Sequence, residues 1–537
     1  MFRLRKSPPV QYKRAATLVS FLLSAQLTLH FAENITFLLV ALPLFGAIYF
    51  ICCHEYFDNS QEISIPTCHK QTGIPQCWLI SFSIILFGQV FFWCAFFPGG
   101  FNLDALNQWY QIHGELPVSN WHSPLVTFLY WTITRLSDSL AACIAVQLVL
   151  FSSAAALLIS ELYRQYISQR MATFVSILMA LNPAIGRINI SLVKDVYFSI
   201  ILLLMYFFLL RVIGTKGSIL RSRMTILASS FLLTAMILVR HNGILMAAAI
   251  SLALLICYKK YRPFVIRILF ISFLLAALIE GPIYRIFNVA PHANIVGESV
   301  GVPMAIMVNA LVNDPDNIPD EAKDFLHSIE PNDSAWKNSY VVGEWDSCKW
   351  TIGENVGDGM LLSSTPLTKI MTLAAKTVIA CPNASYQSFR ENTRIIWQDV
   401  GPCNWLPFVF QEENPYQITY HPVAPLDSIE ASLFSLFSTG PLSIYHWNTG
   451  LQISILLLLF LRCIKQGSEA KGILVFPLLL YNIGTSFIIA GPNYRYFYCN
   501  AVLFLPIALY MFCTKQQDPE QDEQSSESIS DSSLCLP

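Results

Sequence analysis

The chain has 537 residues, of which 54% are hydrophobic and only 13% are charged. Soluble domains carry about 25% charged residues, so this composition excludes an ordinary soluble globular protein. The formal net charge of −2 gives no indication of a nucleic-acid partner, and none is predicted.

Continuous apolar runs of membrane length, or nearly so, recur along the chain. Runs of this kind are typical of membrane-spanning helices, whereas a transmembrane barrel would show alternation. They lie at about 15–32, 35–53, 78–97, 139–160, 171–186, 195–211, 225–239, 243–258, 264–280, 449–462, 472–490 and 497–513. We therefore predict an all-α polytopic membrane protein with about twelve transmembrane helices.

The apolar runs and the polar segments between them predict five regions. They are 1–77, with two transmembrane helices and a cytoplasmic loop; 78–280, a transmembrane core with its first outer loop at 98–138; 281–448, an extracytoplasmic loop domain; 449–513, the C-terminal transmembrane helices; and 514–537, a cytoplasmic tail. The tail is rich in Ser, Gln, Asp and Glu, a composition that predicts disorder.

The distribution of Lys and Arg predicts the orientation. If the N-terminus is cytoplasmic, 20 of the 33 Lys and Arg fall in short cytoplasmic segments, as the positive-inside rule requires. Both termini then lie in the cytoplasm, and segments 98–138 and 281–448 lie outside. We expect a multi-pass protein of the cell membrane, of the bacterial inner or plasma membrane type.

The first outer loop contains a polar and aromatic segment that predicts a short helix at 101–113. Asn102 can cap this helix, and Asp104 and Gln108 then share one of its faces. Such a juxtamembrane helix would direct Asp104 toward an outer cavity; alternatively, Asp104 only complements the helix dipole. His122, in a Trp-His-Ser-Pro element, is interpreted as a supporting residue, since a lone loop histidine is more often a hydrogen-bonding tether than a ligand.

Three further outer corners carry ionisable or polar side chains beside hydrocarbon. They are Arg187, Lys194 and Asp195 around one corner, Arg240 and His241 at the second, and Tyr494 and Arg495 at the entry to the last apolar run. Unpaired charges are costly there, so each either reaches the headgroups, forms an intramembrane pair such as Arg240 with Asp195 or Glu280, or binds a ligand. Several cations opposite Asp104 favour an anionic lipid phosphate and a hydroxyl nucleophile that needs a base.

These features resemble the GT-C superfamily of integral-membrane glycosyltransferases, such as protein O-mannosyltransferases, aminoarabinose transferases and uncharacterised bacterial relatives. The resemblance depends on Leu103-Asp104 after a span, the Trp-His-Ser-Pro element, the Lys194-Asp195 entry to a later span and the Asn-Tyr-Arg-Tyr entry to the final one. It extends over roughly residues 78–510. Two additional spans precede that region, and one acidic residue stands where some members have a pair.

The resemblance implies an inverting transfer of a sugar from a polyprenyl-phosphate or polyprenyl-diphosphate donor to an extracytoplasmic acceptor hydroxyl. The acceptor would be a cell-envelope glycan, lipid or protein. Asp104 would be the general base. The implied donor-phosphate ligands are Arg240, Arg495, Lys194 and Arg187, and the supporting residues are His122, Asp195, His241, Gln108 and Tyr494. No metal ligand is assigned, although a divalent metal is compatible with the resemblance.

Two other functional classes are left open by the residues alone. A transporter or flippase for lipid-linked glycans or anionic solutes would need broken helices at mid-membrane depth and symmetric halves. The ionisable residues of this chain gather instead at the outer ends of predicted spans. A non-catalytic assembly or sensor component is the third class.

Overall fold

The structure is a computed structural model of the chain. It describes residues 10–31, 41–58, 73–165, 167–291, 297, 299–349, 351–352, 362, 364–397, 408–439, 442–443, 447–465 and 469–513. Within these ranges the protein is all-helical, with 79% helix and no strands. The predicted disordered tail at 514–537 and most of the predicted cytoplasmic loop near 54–77 lie outside the described residues.

The first twelve helices follow the chain from the N-terminus to residue 278. They are α1 (Val10–Phe31), α2 (Ala41–Asp58), α3 (Ile74–Ala95), α4 (Leu103–Ile112), α5 (Pro124–Thr134), α6 (Leu140–Gln165), α7 (Gln169–Ala180), α8 (Pro183–Asn189), α9 (Lys194–Gly214), α10 (Arg223–Val239), α11 (Gly243–Cys257) and α12 (Arg262–Leu278). α4 and α5 belong to the first predicted outer loop.

The remaining helices follow from residue 301 to residue 513. They are α13 (Gly301–Asn313), α14 (Asp320–Ile329), α15 (Asp333–Ser339), α16 (Trp345–Lys349), α17 (Leu367–Ala380), α18 (Pro382–Thr393), α19 (Leu426–Ser438), α20 (Thr449–Lys465), α21 (Gly472–Ser486) and α22 (Tyr498–Cys513). Shorter helical turns connect several of them.

Within the described residues, each of the apolar runs found in the sequence overlaps a helix or, for α7 and α8, a bent helix pair. Long apolar runs become helices because a backbone in hydrocarbon must satisfy its own hydrogen bonds. Among the described residues, five helices are long and apolar enough to cross a membrane, or six if α7 and α8, bent by 59°, form one span. The fold is thus compatible with a helical membrane protein, and the number of twelve spans stays a prediction.

The main hydrophobic core lies between the membrane helices, where α3 packs on α6 and α7, and α6 packs on α9. Some buried polar side chains of this core pair with one another across helices. Asn189 donates to Gln89 Oε1 at 3.0 Å and accepts from Tyr498 Oη at 2.7 Å, which joins α8 to α3 and to α22.

A second core, separate from the first, is formed by α13 to α18. It includes Met304, Trp336, Trp345 and Ile370, all with 0% exposure, and it also contains Ala490. α17 packs one face into this core, whereas Ile379 on its other side is 82% exposed. This helical unit occupies residues 300–393 of the predicted 281–448 domain.

An extended segment, residues 408–423, crosses the first outer loop and is called the strap below. Backbone hydrogen bonds hold it: Phe101 N donates to Val409 O at 3.0 Å, and Gln411 N donates to Phe101 O at 2.8 Å. Further along, His421 N donates to Phe97 O at 2.8 Å. The strap therefore brings residues from beyond position 400 to the start of α4.

Candidate functional site

Asp104 lies in the first turn of α4, and the local sequence explains its position. Asn102 caps the helix, because its side-chain oxygen accepts a hydrogen bond from Ala105 N at 2.9 Å. Before the cap, Gly100 donates its N–H to Ile190 O at 2.8 Å, and a Cβ at this glycine would overlap Ser191. The glycine thus allows the first loop to approach the α8–α9 turn closely.

A cavity of about 340 Å³ opens beside Asp104. Four parts of the chain form its wall: the start of α4, the α8–α9 turn, the strap and the entry to α22. The lining residues are Asn102, Leu103, Asp104, Arg187, Ile188, Ser191, Val193, Val409, Gln411, Asn493 and Arg495. One carboxylate, two guanidinium groups and several amides thus meet at one concave surface, as expected of a ligand site.

Asp104 and Arg495 form an ion pair at this wall. Arg495 Nη1 lies 2.8 Å from Asp104 Oδ2, and the two side chains are 27% and 40% exposed. The turn that carries Arg495 is fixed by Asn493, whose side-chain oxygen accepts a hydrogen bond from Arg495 N at 3.0 Å. Both charged groups therefore face the cavity from defined positions.

Behind this pair, the charges continue into the protein in alternating order. Arg495 Nε lies 3.5 Å from Asp195 Oδ2, and Asp195 also pairs with Arg240. Asp195 and Arg240 are only 3% and 5% exposed. Arg240 thus adopts the intramembrane pair with Asp195, one of the alternatives considered for it, and it does not line the cavity. We call Asp104, Arg495, Asp195 and Arg240 the charge chain.

The pKa of the Asp104 carboxyl is lowered to about 2. Burial is the largest single effect and by itself would raise this pKa, but the charge and hydrogen bond of Arg495, together with the positive fields of His122 and Lys194, outweigh it. Asp104 is consequently ionised at neutral pH. The same effects show that His122 and Lys194 lie within electrostatic range of the carboxylate.

Lys194 and His122 occupy the region where the first loop meets the start of α9. Lys194 Nζ donates to Trp121 O at 3.3 Å, so this lysine is tied to the Trp-His-Ser-Pro element. His122 is 5% exposed. Neither residue lines the cavity, and both act on Asp104 through their own electrostatic fields.

Arg187 lines the cavity but is firmly bound to α19. Its Nε and Nη2 donate to the two carboxylate oxygens of Glu430 at 2.7 and 2.8 Å. The guanidinium carbon also lies 3.4 Å from the centroid of the Phe434 ring. Glu430 is 1% exposed, so the pair is buried on that side. This geometry makes Arg187 an anchor for α19 as well as a cation at the cavity.

The other predicted supporting residues lie outside the cavity. Gln108 donates to Thr127 Oγ1 at 3.0 Å and joins α4 to α5. His241 Nε2 lies 3.2 Å from Asn120 O, which connects the α10–α11 corner to the first loop. Tyr494 is buried against Trp447, with ring centroids 5.3 Å apart, and its hydroxyl has no hydrogen-bond partner within the described ranges.

The structure adds residues that the sequence did not single out. Gln411 and Val409 of the strap line the cavity, and Glu430 binds Arg187 from a position 243 residues away. Asn493 belongs to the Asn-Tyr-Arg-Tyr element, so its proximity to the site had a sequence signal. Gln411 and Glu430 had none, because only the folded chain brings them there.

No group of three or more His, Cys, Asp and Glu side chains that could hold a metal ion occurs in the described part of the chain. The polar groups at the cavity are instead one carboxylate, guanidinium groups and amides. Such a set binds and polarises an anionic ligand directly.

A family model described as DUF6020, a family of unknown function, matches residues 113–354. This segment includes Arg187, Lys194, Asp195 and Arg240, but it begins after Asp104 and ends before the strap and Arg495. No curated protein and no solved structure matches the chain. The family match therefore covers part of the site and carries no statement about activity.

Proposed function

We propose that this protein is a membrane glycosyltransferase of the GT-C type. It would move a sugar from a polyprenyl-phosphate or polyprenyl-diphosphate donor to a hydroxyl of a cell-envelope glycan, lipid or protein, with inversion at the anomeric carbon. The observation that carries this proposal is the contact of Asp104 with Arg495 at the wall of a 340 Å³ cavity. A general base and a phosphate-binding cation are thereby available at one place.

In the proposed reaction, the acceptor hydroxyl gives its proton to Asp104 while its oxygen forms a bond to the anomeric carbon. The bond from that carbon to the lipid phosphate oxygen breaks, and the electron pair leaves with the phosphate. Arg495 stabilises the charge that develops there, and its planar guanidinium suits bidentate phosphate binding. Lys194 adds a positive field, and Arg187 adds a second guanidinium at the cavity.

The low pKa of Asp104 requires a further step. A carboxylate with a pKa of about 2 is a weak base, because Arg495 stabilises its ionised form. When the donor phosphate binds, Arg495 turns its charge toward the phosphate, and the pKa of Asp104 rises toward its ordinary value. Donor binding would thus prepare the base. Asp195 acts as a positioning residue in this scheme, since it lies beside Arg495 and holds Arg240.

In the proposed topology, the chain crosses a bacterial inner or plasma membrane about twelve times, and both termini lie in the cytoplasm. Its support is that each predicted apolar run overlaps a helix in the described residues, and that α10, α11 and α21 are short apolar helices beyond the five longer ones. The outer ends of these helices meet at the charge chain. The site would therefore be extracytoplasmic.

The proposal is tested by donor consumption. The purified full-length chain in nanodiscs is incubated with a panel of polyprenyl-phosphate-linked and polyprenyl-diphosphate-linked radiolabelled sugars and with cell-envelope extracts as acceptors. We expect one donor to be consumed with release of the polyprenyl carrier. Asp104→Asn should lower the rate at least about 100-fold, the lower range for a removed general base. The matched control is Asp138→Asn, which removes an exposed carboxylate of the same loop.

A binding measurement separates the base from the phosphate ligand. Arg495→Ala should weaken the binding of a short-chain polyprenyl phosphate about tenfold or more, since it removes a charge-assisted bond. Asp104→Asn should bind this lipid at least as tightly as the parent, because Arg495 no longer pairs with a carboxylate. Full transfer activity of Asp104→Asn would exclude Asp104 as the base. If the protein moved a lipid-linked glycan across the membrane of proteoliposomes without transferring its sugar, this result would instead support the transporter class.

A further inference from the structure

A second cavity lies on the outside of the helix bundle, between α10 and α12, and shares no lining residue with the cavity beside Asp104. Its volume is about 550 Å³. It is an apolar groove, lined by Ile226 and Leu227 of α10 and by Ile266, Phe270 and Ile271 of α12. Arg223 and Arg267 complete its lining.

The groove opens where α10 and α12 begin. Ser230 Oγ donates to Ile268 O at 3.1 Å, and Thr234 Oγ1 donates to Ser272 O at 3.1 Å. The two helices therefore run parallel and in register, and these small polar residues hold them close together. The groove lies beside this contact and extends toward the N-terminal ends of both helices, where the side chains are larger. This is the end of the bundle opposite to the site of Asp104, since α10 ends at Arg240.

The groove is open on the outer surface of the helix bundle. The span that contains α12, Lys259–Ile286, has only 17% of its apolar window buried inside the protein. Leu227, Ile266 and Phe270 are 46%, 57% and 66% exposed. A spanning helix that exposes this many apolar side chains is expected to contact the hydrocarbon of the lipid there.

Arg223 and Arg267 give the groove a charged end. Arg223 is the first residue of α10, and Arg267 lies in the second turn of α12. Both are exposed, and neither has a carboxylate partner among the residues that the structure describes. Arginines so placed extend their guanidinium groups toward the headgroup layer while their carbon stems stay on the apolar surface. The positive ends of two helix dipoles point the same way.

We propose that this groove binds an anionic glycerophospholipid of the leaflet at that end of the bundle. Its phosphate lies between Arg223 and Arg267, and one acyl chain occupies the groove between α10 and α12. The apolar wall fits a hydrocarbon chain, and the two arginines fit a phosphate that carries net negative charge. Basic pockets between spanning helices are recognised sites for anionic headgroups. The site is independent of the proposed transferase activity.

The test is lipid binding to the purified full-length chain. Native mass spectrometry of the delipidated protein is followed while phosphatidylglycerol or phosphatidylcholine with the same acyl chains is added. We expect phosphatidylglycerol to bind at lower concentration than phosphatidylcholine. The double variant Arg223→Gln and Arg267→Gln should bind phosphatidylglycerol about thirtyfold more weakly, because two basic residues near the headgroup are lost.

Matched variants separate the groove from general surface charge and from folding. Lys259→Gln with Lys260→Gln removes two exposed charges at the same end of the bundle and should leave phosphatidylglycerol binding within about twofold of the parent. Leu227→Trp keeps both arginines but fills the groove, and it should weaken both lipids; thermal melting reports whether each variant is folded. Equal phosphatidylglycerol binding by the parent and the arginine double variant would overturn the proposal. So would equal binding of the two lipids, or occupation of the groove by a second copy of the chain.

Discussion

Asp195 lies between two arginines, and this position separates the structural members of the charge chain from those at the cavity. It is 3% exposed and contacts both Arg240 and Arg495. Removing one partner of a buried ion pair leaves an uncompensated charge, which costs about 3–5 kcal/mol, whereas removing both partners is often neutral. The inner half of the charge chain is therefore a structural support for the outer half, where Arg495 meets Asp104 at the cavity.

Asp195→Asn should consequently destabilise the protein by about 3–5 kcal/mol, because Arg240 stays buried without a counter-charge. The double variant Asp195→Leu with Arg240→Met should recover most of this loss. Thermal melting in detergent measures both. Glu321→Gln serves as the control: it breaks an exposed pair with Lys376, in which Glu321 is 66% exposed, and should change stability by no more than about 1 kcal/mol. A stable Asp195→Asn variant would contradict the buried pairing.

The acid side of the stability profile should depend on Asp104. Its pKa is lowered from 3.8 to about 2, so the folded state favours the ionised carboxylate. This stabilisation is fully present above the ordinary pKa and is lost as the pH falls from about 4 toward 2. The melting temperature of Asp104→Asn should therefore fall less between pH 6 and pH 3 than that of the parent. Asp138→Asn should follow the parent, and parallel curves for Asp104→Asn would contradict the Arg495 contact.

At the scale of elements, α19 is held to the bundle by one charged contact and several rings. Glu430 receives both hydrogen bonds from Arg187, and Phe434 lies under the guanidinium. The helix follows directly after the strap, whose Val409 and Gln411 line the cavity. The anchor at Glu430 therefore also fixes one wall of the site.

Glu430→Gln should loosen this wall, since Arg187 would lose its buried counter-charge. Hydrogen–deuterium exchange should become at least about tenfold faster in peptides covering the strap and α19, which corresponds to about 1.4 kcal/mol of local stability. Peptides from α6 should exchange as in the parent. The control Asp427→Asn changes a partly buried carboxylate in the first turn of the same helix, which accepts its hydrogen bonds from Ser428. Unchanged exchange in Glu430→Gln would show that the apolar contacts of α19 suffice.

Much of the helical framework could be predicted from the sequence, because long apolar runs and a capping Asn102 are local signals. The short helix predicted at 101–113 is present as α4 at Leu103–Ile112, with Asp104 in its first turn. The strap could not be predicted, since its extended backbone is held by hydrogen bonds to residues more than 300 positions earlier. The pairing of Glu430 with Arg187 is equally non-local, and so is the choice of Asp195 over Glu280 as the partner of Arg240.

At the scale of the whole molecule, the two ends of the bundle have opposite chemistry. The end that carries the charge chain is covered by the strap, by α4 and by the helical unit at 300–393. The other end has short connections that contain Arg211, Arg221, Arg223, Lys259 and Lys260. Positive charge in short connections predicts the cytoplasmic side, so the prediction for the cavity beside Asp104 is the outer side.

This orientation is tested with single cysteines at exposed positions of the two ends. Ser137→Cys lies in the first outer loop, and Ser222→Cys directly precedes α10; both serines are exposed. A membrane-impermeant maleimide applied to intact cells should label Ser137→Cys above the level of the parent chain, whose own cysteines set the background. Ser222→Cys should be labelled only after the membrane is permeabilised. The reverse pattern would place Asp104 in the cytoplasm, where a lipid-linked donor for extracytoplasmic transfer has no access to it, and the proposed reaction would fail with the topology.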